Sequence, residues 1–79
     1  MQAAEQLLRQ KGLRITTLRT EVLQRLMQSA RAYTHADLEA AFGHRLDRVS
    51  LYRCLLTLTD SGLVQKLIDS RGNTSYFFE

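Results

Sequence analysis

The chain has 79 residues, a formal net charge of +3 and a hydrophobic fraction of 44%. This composition excludes an intrinsically disordered protein, and the length suits one small domain that buries about 60–65% of its unfolded surface. No apolar run is long enough to span a membrane and no signal-peptide pattern is present, so we expect a cytoplasmic protein. The single cysteine, Cys54, excludes an internal disulfide and a cysteine-based zinc cage.

Two helices are predicted in the first third of the chain. Residues 2–11 are rich in residues that favour helices, and Gly12 suits the position just past a helix end. Either Thr16 or Thr17 can cap the next helix, which we expect over residues 18–29. Its apolar side chains form a wide face, so this second helix should pack into the core.

A short third helix is predicted after a loop over residues 30–34. Thr34 is followed three residues later by Asp37, a pattern similar to a capping box, in which each side chain bonds the backbone N–H of the other residue. The third helix should therefore cover residues 35–42 and end at Gly43.

The fourth predicted helix covers residues 47–61, with Asp47 as its N-cap and Gly62 at its end. Four residues at i, i+3, i+4 and i+7 predict one buried stripe, in which Cys54 is a small core residue: Leu51, Cys54, Leu55 and Leu58. The outer face is basic, aromatic and apolar: Arg48, Val49, Tyr52, Arg53, Leu56 and Thr57. Such a face can read a DNA major groove, because an arginine can donate two hydrogen bonds to a guanine and apolar groups can contact thymine methyl groups. Taken alone, the helix is equally compatible with an ordinary core helix.

The last stretch predicts a β-hairpin. Residues 63–69 and 74–79 are rich in aliphatic, β-branched and aromatic side chains, and residues 70–73 between them are typical of a turn. A lone hairpin is marginal in water, so it should pack on the helices. A short helix, a turn, a longer helix and a two-stranded wing together predict a mainly α winged helix-turn-helix domain.

Enzymatic chemistry is not indicated. The sequence has no glycine-rich phosphate loop, no zinc-protease helix motif and no hydrolytic constellation, so we expect a non-enzyme. His35 and Glu39 stand four residues apart on one helix, and we interpret them as a solvated pair rather than a metal pair. His44, beside a glycine in a loop, has the same interpretation.

The arginines favour a nucleic-acid partner. Nine of the eleven basic residues are Arg, which suits bidentate contact with phosphates and bases. A winged helix would bring several arginines from separate segments to one side: Arg14, Arg19, Arg48, Arg53 and Arg71. Phosphate contacts would then set the register and base contacts would specify the sequence. For Arg71, at the predicted wing tip, a solvated turn residue is the alternative.

Several of these segments are similar to the N-terminal half of the ferric uptake regulator family: Gly12-Leu13-Arg14-Ile15-Thr16, Arg19, Asp37-Leu38, Ser50-Leu51-Tyr52-Arg53 and Gly62-Leu63-Val64. The resemblance covers roughly residues 7–79. It implies the winged-helix domain of a bacterial metal- or peroxide-responsive transcription factor, a repressor in metal homeostasis that binds palindromic, A·T-rich operators as a homodimer.

The resemblance also implies roles for individual residues. Tyr52 would touch a thymine methyl group or a sugar, and Arg53 a phosphate or a guanine. Arg14 would enter a narrow A·T-rich minor groove, which attracts cationic side chains. Together with the arginines above, the expected DNA-contacting set is Arg14, Arg19, Arg48, Ser50, Tyr52, Arg53 and Arg71.

Members of the family carry a second, C-terminal domain for dimerisation and most of the metal ligands. We expect residues 1–79 to be a single winged-helix domain without that second domain, monomeric or weakly dimeric, with double-stranded DNA as partner. We expect no cofactor in this chain, whereas iron, zinc or another divalent metal is implied for the full-length family.

Two metal-ligand positions of the family are not matched clearly. The His that many members place before the third helix corresponds to Arg31 or Ala32. A further Glu ligand lies close to Glu79, although Phe77 or Phe78 matches its register better. A function of another class remains as the alternative: a winged helix that docks a protein through apolar side chains of the fourth helix and the wing.

Overall fold

The computed structural model describes residues 2–29, 31–43 and 45–78, so the interpretations of His44 and Glu79 concern positions outside the described residues. Over the described residues, helices and strands follow in the order α1 (Gln2–Gln10), α2 (Thr17–Gln28), β1 (Tyr33–Thr34), α3 (His35–Ala41), α4 (Arg48–Ser61), β2 (Val64–Ile68) and β3 (Thr74–Phe78). The predicted winged-helix fold is confirmed.

Side-chain caps fix where the helices begin. Thr16, not the residue after it, is the N-cap of α2, and its hydroxyl accepts a backbone N–H at 3.1 Å. Thr34 and Asp37 form the predicted capping box of α3, with donor–acceptor distances of 3.0 and 3.1 Å. Asp47 caps α4 by accepting the N–H of Ser50 at 3.0 Å. Each cap satisfies helix N–H groups that otherwise lack a partner.

The segment predicted as a loop before α3 contains a strand. In β1, Tyr33 pairs with Tyr76 and Thr34 pairs with Ser75, so the sheet has the order β1-β3-β2. The sequence does not reveal this strand, because two residues are too few to show an alternating pattern. The pairing gives backbone groups just before α3 a hydrogen-bonding partner in the sheet.

The predicted hairpin is confirmed as β2 and β3, paired antiparallel from Val64↔Phe78 to Ile68↔Thr74. Its turn is organised by Asp69, whose carboxylate accepts the N–H groups of Asn73 at 2.9 Å and Arg71 at 2.8 Å. These hydrogen bonds, that of Asn73 first, hold the pKa of Asp69 below its usual value. Gly72 completes the turn with a φ of 84°, a conformation that residues other than glycine rarely adopt.

The hydrophobic core joins the helices to the sheet, and α4 packs on α2, α3 and β2. The predicted stripe of α4 is confirmed, since its three leucines have no exposure and Cys54 is 5% exposed. Burial raises the pKa of the Cys54 thiol to about 11, so it stays protonated at neutral pH. The other large side chains that are fully buried come from the other elements: Leu8, Val22, Leu23, Leu26, Leu38 and Val64.

Candidate nucleic-acid interface

The outer face of α4 exposes large apolar side chains beside cations. Val49 is 55% exposed, Tyr52 50% and Leu56 39%. The side chain of Arg48 is 79% exposed, and Arg53 is exposed as well. The first acidic residue of α4 comes only in its last turn. This face therefore combines guanidinium donors with apolar contact area, the two properties that the edges of DNA bases require.

One groove beside this face lies between the beginning of α2 and the middle of α4, with a volume of about 240 Å³. It brings together three of the expected site residues, Arg19 from α2 and Ser50 and Arg53 from α4. The two guanidinium groups at this concave surface can donate hydrogen bonds to the oxygens of a phosphate, whereas the Ser50 hydroxyl donates to Asp47 Oδ2 at 3.2 Å. Sequence reasoning missed Thr16 as a lining residue of this groove, because its only sequence signal was that of a helix cap.

The segment between α1 and α2 is hydrogen-bonded to Arg19, which lines this groove. The Nη1 of Arg19 donates to the main-chain carbonyl oxygen of Arg14 at 2.8 Å, which links the first turn of α2 to the preceding segment. The side chain of Arg14 is exposed. Both expected contact residues outside α4 and the wing therefore lie on one short, locally ordered stretch.

A second groove lies between α3 and α4 and has a volume of about 360 Å³. It is lined by His35 of α3 and by Arg48, Val49 and Tyr52 of α4. Two further expected site residues, Arg48 and Tyr52, thus meet at this second groove. The lining is largely apolar, so it suits an apolar group such as a thymine methyl rather than a phosphate.

His35 and Glu39 differ from the solvated pair that the sequence suggested. Their side chains are only 25% and 14% exposed, and His35 Nδ1 lies 3.0 Å from Glu39 Oε1. Arg48 joins them, with its Nε 3.5 Å from Glu39 Oε2. Burial alone would raise the pKa of Glu39, but the His35 hydrogen bond and the Arg48 charge hold that pKa below its usual value. Spacing along one helix could not reveal that α4 supplies the third member.

Arg71 lies apart from both grooves. It is exposed in the turn between β2 and β3, at the tip of the wing, where its N–H donates to Asp69. The expected site residues thus occupy four places on the molecule: the α2–α4 groove, the segment before α2 that carries Arg14, the α3–α4 groove and the wing tip.

Metal ligands do not converge in the described part of the chain. Within residues 2–29, 31–43 and 45–78, no three His, Cys, Asp or Glu side chains lie close enough to hold a metal ion. The pair formed by His35 and Glu39 has an arginine as its neighbour, and a guanidinium is not a metal ligand. The divalent metal of the family therefore has no fitting ligand set among these residues. None of the described helices is long and apolar enough to cross a membrane.

No protein-family model and no curated protein matches the chain. Several solved structures, in contrast, are similar to the chain. The ferric uptake regulator of Pseudomonas aeruginosa, determined with manganese, gives a TM-score of 0.86 at 23% identity over 95% of this chain and 59% of that one. The Vibrio cholerae ferric uptake regulator gives 0.80 at 22% identity, over 94% and 60%. The peroxide-sensing regulator PerR of Streptococcus pyogenes gives 0.77 at 27% identity, over 90% and 51%.

The chain spans between half and three fifths of the length of these three structures. The likeness covers nearly all of its own length, and its geometry is that of a winged helix. The resemblance that the sequence motifs indicate is therefore confirmed by these structures.

Proposed function

Starting from its likeness to the ferric uptake regulator family, we propose that the chain is the DNA-binding domain of a metal- or peroxide-responsive transcriptional regulator. The related structures are described as a regulator with DNA-binding domains, a regulator with manganese and a regulator that senses peroxide. Residues 1–79 act as one winged-helix domain, and sensing and stable dimerisation belong to parts of the regulator outside it.

The observation that carries this proposal is the pair of faces on α4. One face is fully buried through Leu51, Leu55 and Leu58, so the helix is held rigidly. The other presents Tyr52 and Arg53 to solvent. A helix that is anchored on one side and cationic on the other has the shape and the donors to enter a major groove about 12 Å wide.

Within that groove, α4 supplies the base contacts. Arg53 reaches guanine edges or a flanking phosphate, and Tyr52 packs on a thymine methyl group or a sugar. In the α2–α4 groove, which Ser50 also lines, the guanidinium groups of Arg19 and Arg53 hold a backbone phosphate. A phosphate held at this position would set the register of α4 along the duplex.

Three further arginines extend the contact beyond the major groove. Arg14 enters the neighbouring minor groove, where a narrow A·T-rich tract concentrates negative potential. Arg48 lies at the N-terminal end of α4, and Arg71 at the wing tip, and both meet phosphates. A palindromic operator would bind two such domains of a homodimer, whereas this domain alone binds one half-site and lacks the gain in effective concentration.

A titration with an A·T-rich palindromic duplex, followed by amide chemical shifts at two salt concentrations, tests the proposal. We expect salt-sensitive shifts at Arg14, Arg19, residues 48–53 and Arg71, because DNA binding releases counterions. Shifts confined to α1, or no shifts at low salt, would contradict the proposal.

A second candidate is supported by the exposed apolar side chains. Leu67 and Ile68 of β2 are 55% and 60% exposed, and they add to Val49 and Leu56 of α4. A winged helix with these side chains could dock a protein partner instead. Salt separates the two functions, since apolar docking should change little between the two salt concentrations at which DNA binding falls steeply.

A further inference from the structure

The contact between α3 and α4 is built from three polar side chains in a row. Glu39 uses both carboxylate oxygens: Oε1 lies 3.0 Å from His35 Nδ1, and Oε2 lies 3.5 Å from Arg48 Nε. Glu39 is 14% exposed while the Arg48 side chain is 79% exposed. The carboxylate is therefore an inner anchor, and the guanidinium is an outer group with its remaining N–H donors directed toward solvent or a partner.

The imidazole of His35 faces an oxygen at each ring nitrogen. Nδ1 meets the carboxylate of Glu39, and Nε2 lies 3.3 Å from the main-chain carbonyl oxygen of Arg48. Both oxygens only accept hydrogen bonds. A neutral imidazole has one N–H and can satisfy one of them, whereas the imidazolium has two and satisfies both. Protonation of His35 therefore completes the link from α3 to the first turn of α4.

We propose that Glu39 and His35 are positioning residues, which hold Arg48 at the N-terminal end of α4 so that its guanidinium meets a DNA phosphate, and that protonation of His35 strengthens this hold. The proposal rests on the DNA-binding function proposed above and adds to it two residues of α3 that need not touch DNA themselves. A guanidinium held by its Nε loses less side-chain entropy when it binds a phosphate.

Among the residues that the structure describes, few other charged groups lie next to this site. The titratable groups that line or adjoin it on α4 are Arg48 and Tyr52, and those on the strands packed against α3 are the phenols of Tyr33 and Tyr76. Phenols are neutral through the range in which histidine titrates. On α3 itself, Asp37 is engaged in the capping box. Within residues 2–29, 31–43 and 45–78, His35 is therefore the histidine at this contact.

Charge repulsion alone predicts the opposite change in DNA affinity for the variant that tests this proposal, Glu39→Ala. A carboxylate near a DNA-binding face repels phosphates, so removing it should tighten DNA binding. If Glu39 instead positions Arg48, Glu39→Ala should weaken binding of the A·T-rich duplex by about two- to fivefold, the range typical of exposed ion pairs. Glu21→Ala is the matched control, since Glu21 is also a partly buried helical glutamate but lies in α2; it should leave affinity unchanged or slightly raised.

Measuring duplex affinity in an Arg48→Ala background isolates the coupling between Glu39 and Arg48. Arg48→Ala should lower the slope of log affinity against log salt by about 1, the loss of one phosphate contact. Adding Glu39→Ala to it should not weaken binding further. A further loss equal to that seen in the wild-type background would overturn the proposal, because Glu39 would then act without Arg48.

A pH profile tests the part played by His35. When the imidazole gains its second proton at lower pH, wild-type affinity for the duplex should rise, and this rise should survive in Glu21→Ala but disappear in Glu39→Ala. A rise that persists in Glu39→Ala would mean that the imidazolium acts only as an added charge, and the proposal would be wrong.

A measurement on the free protein, without DNA, separates the positioning role of Glu39 and His35 from the proposed DNA-binding function. In the free protein, the Nε–H resonance of Arg48 should shift when the His35 imidazole gains its second proton and should lose that response in Glu39→Ala. If the wild-type duplex titration is silent, the DNA-binding function fails and the positioning role falls with it. If wild-type protein binds but Glu39→Ala binds equally or more tightly, only the positioning role is overturned.

Discussion

The two faces of α4 have opposite relations to the rest of the molecule. Leu55 and Leu58 have no exposed surface, whereas Tyr52 is 50% exposed and Arg48 is more exposed still. The inner face is occupied by the core, so its side chains set the stability of the domain. The outer face contributes little to folding and is free to contact a partner. Substitutions on the two faces should therefore change two different measured quantities, the free energy of unfolding and the affinity for DNA.

The largest effect is expected on the inner face. Leu55→Ala removes a side chain with no exposure and leaves a cavity, so the free energy of unfolding should fall by about 2–5 kcal/mol. Urea unfolding followed by circular dichroism measures it. A loss that large is a major part of the stability of a domain this small. A change below about 1 kcal/mol would show that Leu55 is not packed as the structure places it.

On the outer face, Arg53→Ala should leave unfolding unchanged and weaken binding to the A·T-rich duplex by about 1–3 kcal/mol. Fluorescence anisotropy with a labelled duplex measures the affinity. Arg9→Ala is a matched control, because Arg9 is also exposed but lies on α1, away from both grooves. Equal losses for the two variants would mean that Arg53 acts only through net charge.

The N-cap residue Asp47 stabilises the end of α4 at which both faces begin. Asp47→Ala removes the acceptor for the N–H of Ser50 and should lower the free energy of unfolding by about 0.5–2 kcal/mol, while Asp47→Asn, which can still cap, should cost less. Thermal unfolding of both variants gives the comparison. If the two variants are equally destabilised, the charge of Asp47 at the helix N-terminus matters more than its hydrogen bond.

The smallest effect concerns the wing. The folded pKa of Asp69 is below its unfolded value, so its contribution to stability is present above the unfolded pKa and is lost as pH falls through the folded pKa. Asp69→Asn should remove this part of the acid dependence. Amide exchange of the residues in β2 and β3, measured on both proteins from about pH 5 downward, should therefore converge at the acid end. Divergence at the acid end would contradict the assignment.

Local signals in the sequence were enough for most of the secondary structure. The capping box at Thr34 and Asp37, the cap at Asp47 and the helical spacing of the α4 stripe are all confirmed. Each depends on residues within a few positions of one another, where backbone geometry leaves little choice. The site residues Arg14, Arg19, Arg48, Ser50, Tyr52, Arg53 and Arg71 stay predictions until DNA binding is measured.

Contacts between distant segments had no such signal. The strand β1 exists because Tyr33 pairs with Tyr76, more than forty residues further along the chain. Glu39 contacts Arg48 only because α3 and α4 pack together, and its spacing suggested no partner beyond His35. Such contacts depend on how the elements pack, which short-range periodicity does not encode.

The sequence by itself determined where the helices begin and end to within one residue, which stripe of α4 is buried and that a hairpin follows, because caps, apolar spacing and turn residues act over one or two turns of chain. The tertiary structure decided which side chains share a groove. It placed Arg19 beside Arg53 and Glu39 beneath Arg48, since the positions of α2 and α3 against α4 follow from filling one core rather than from any local pattern.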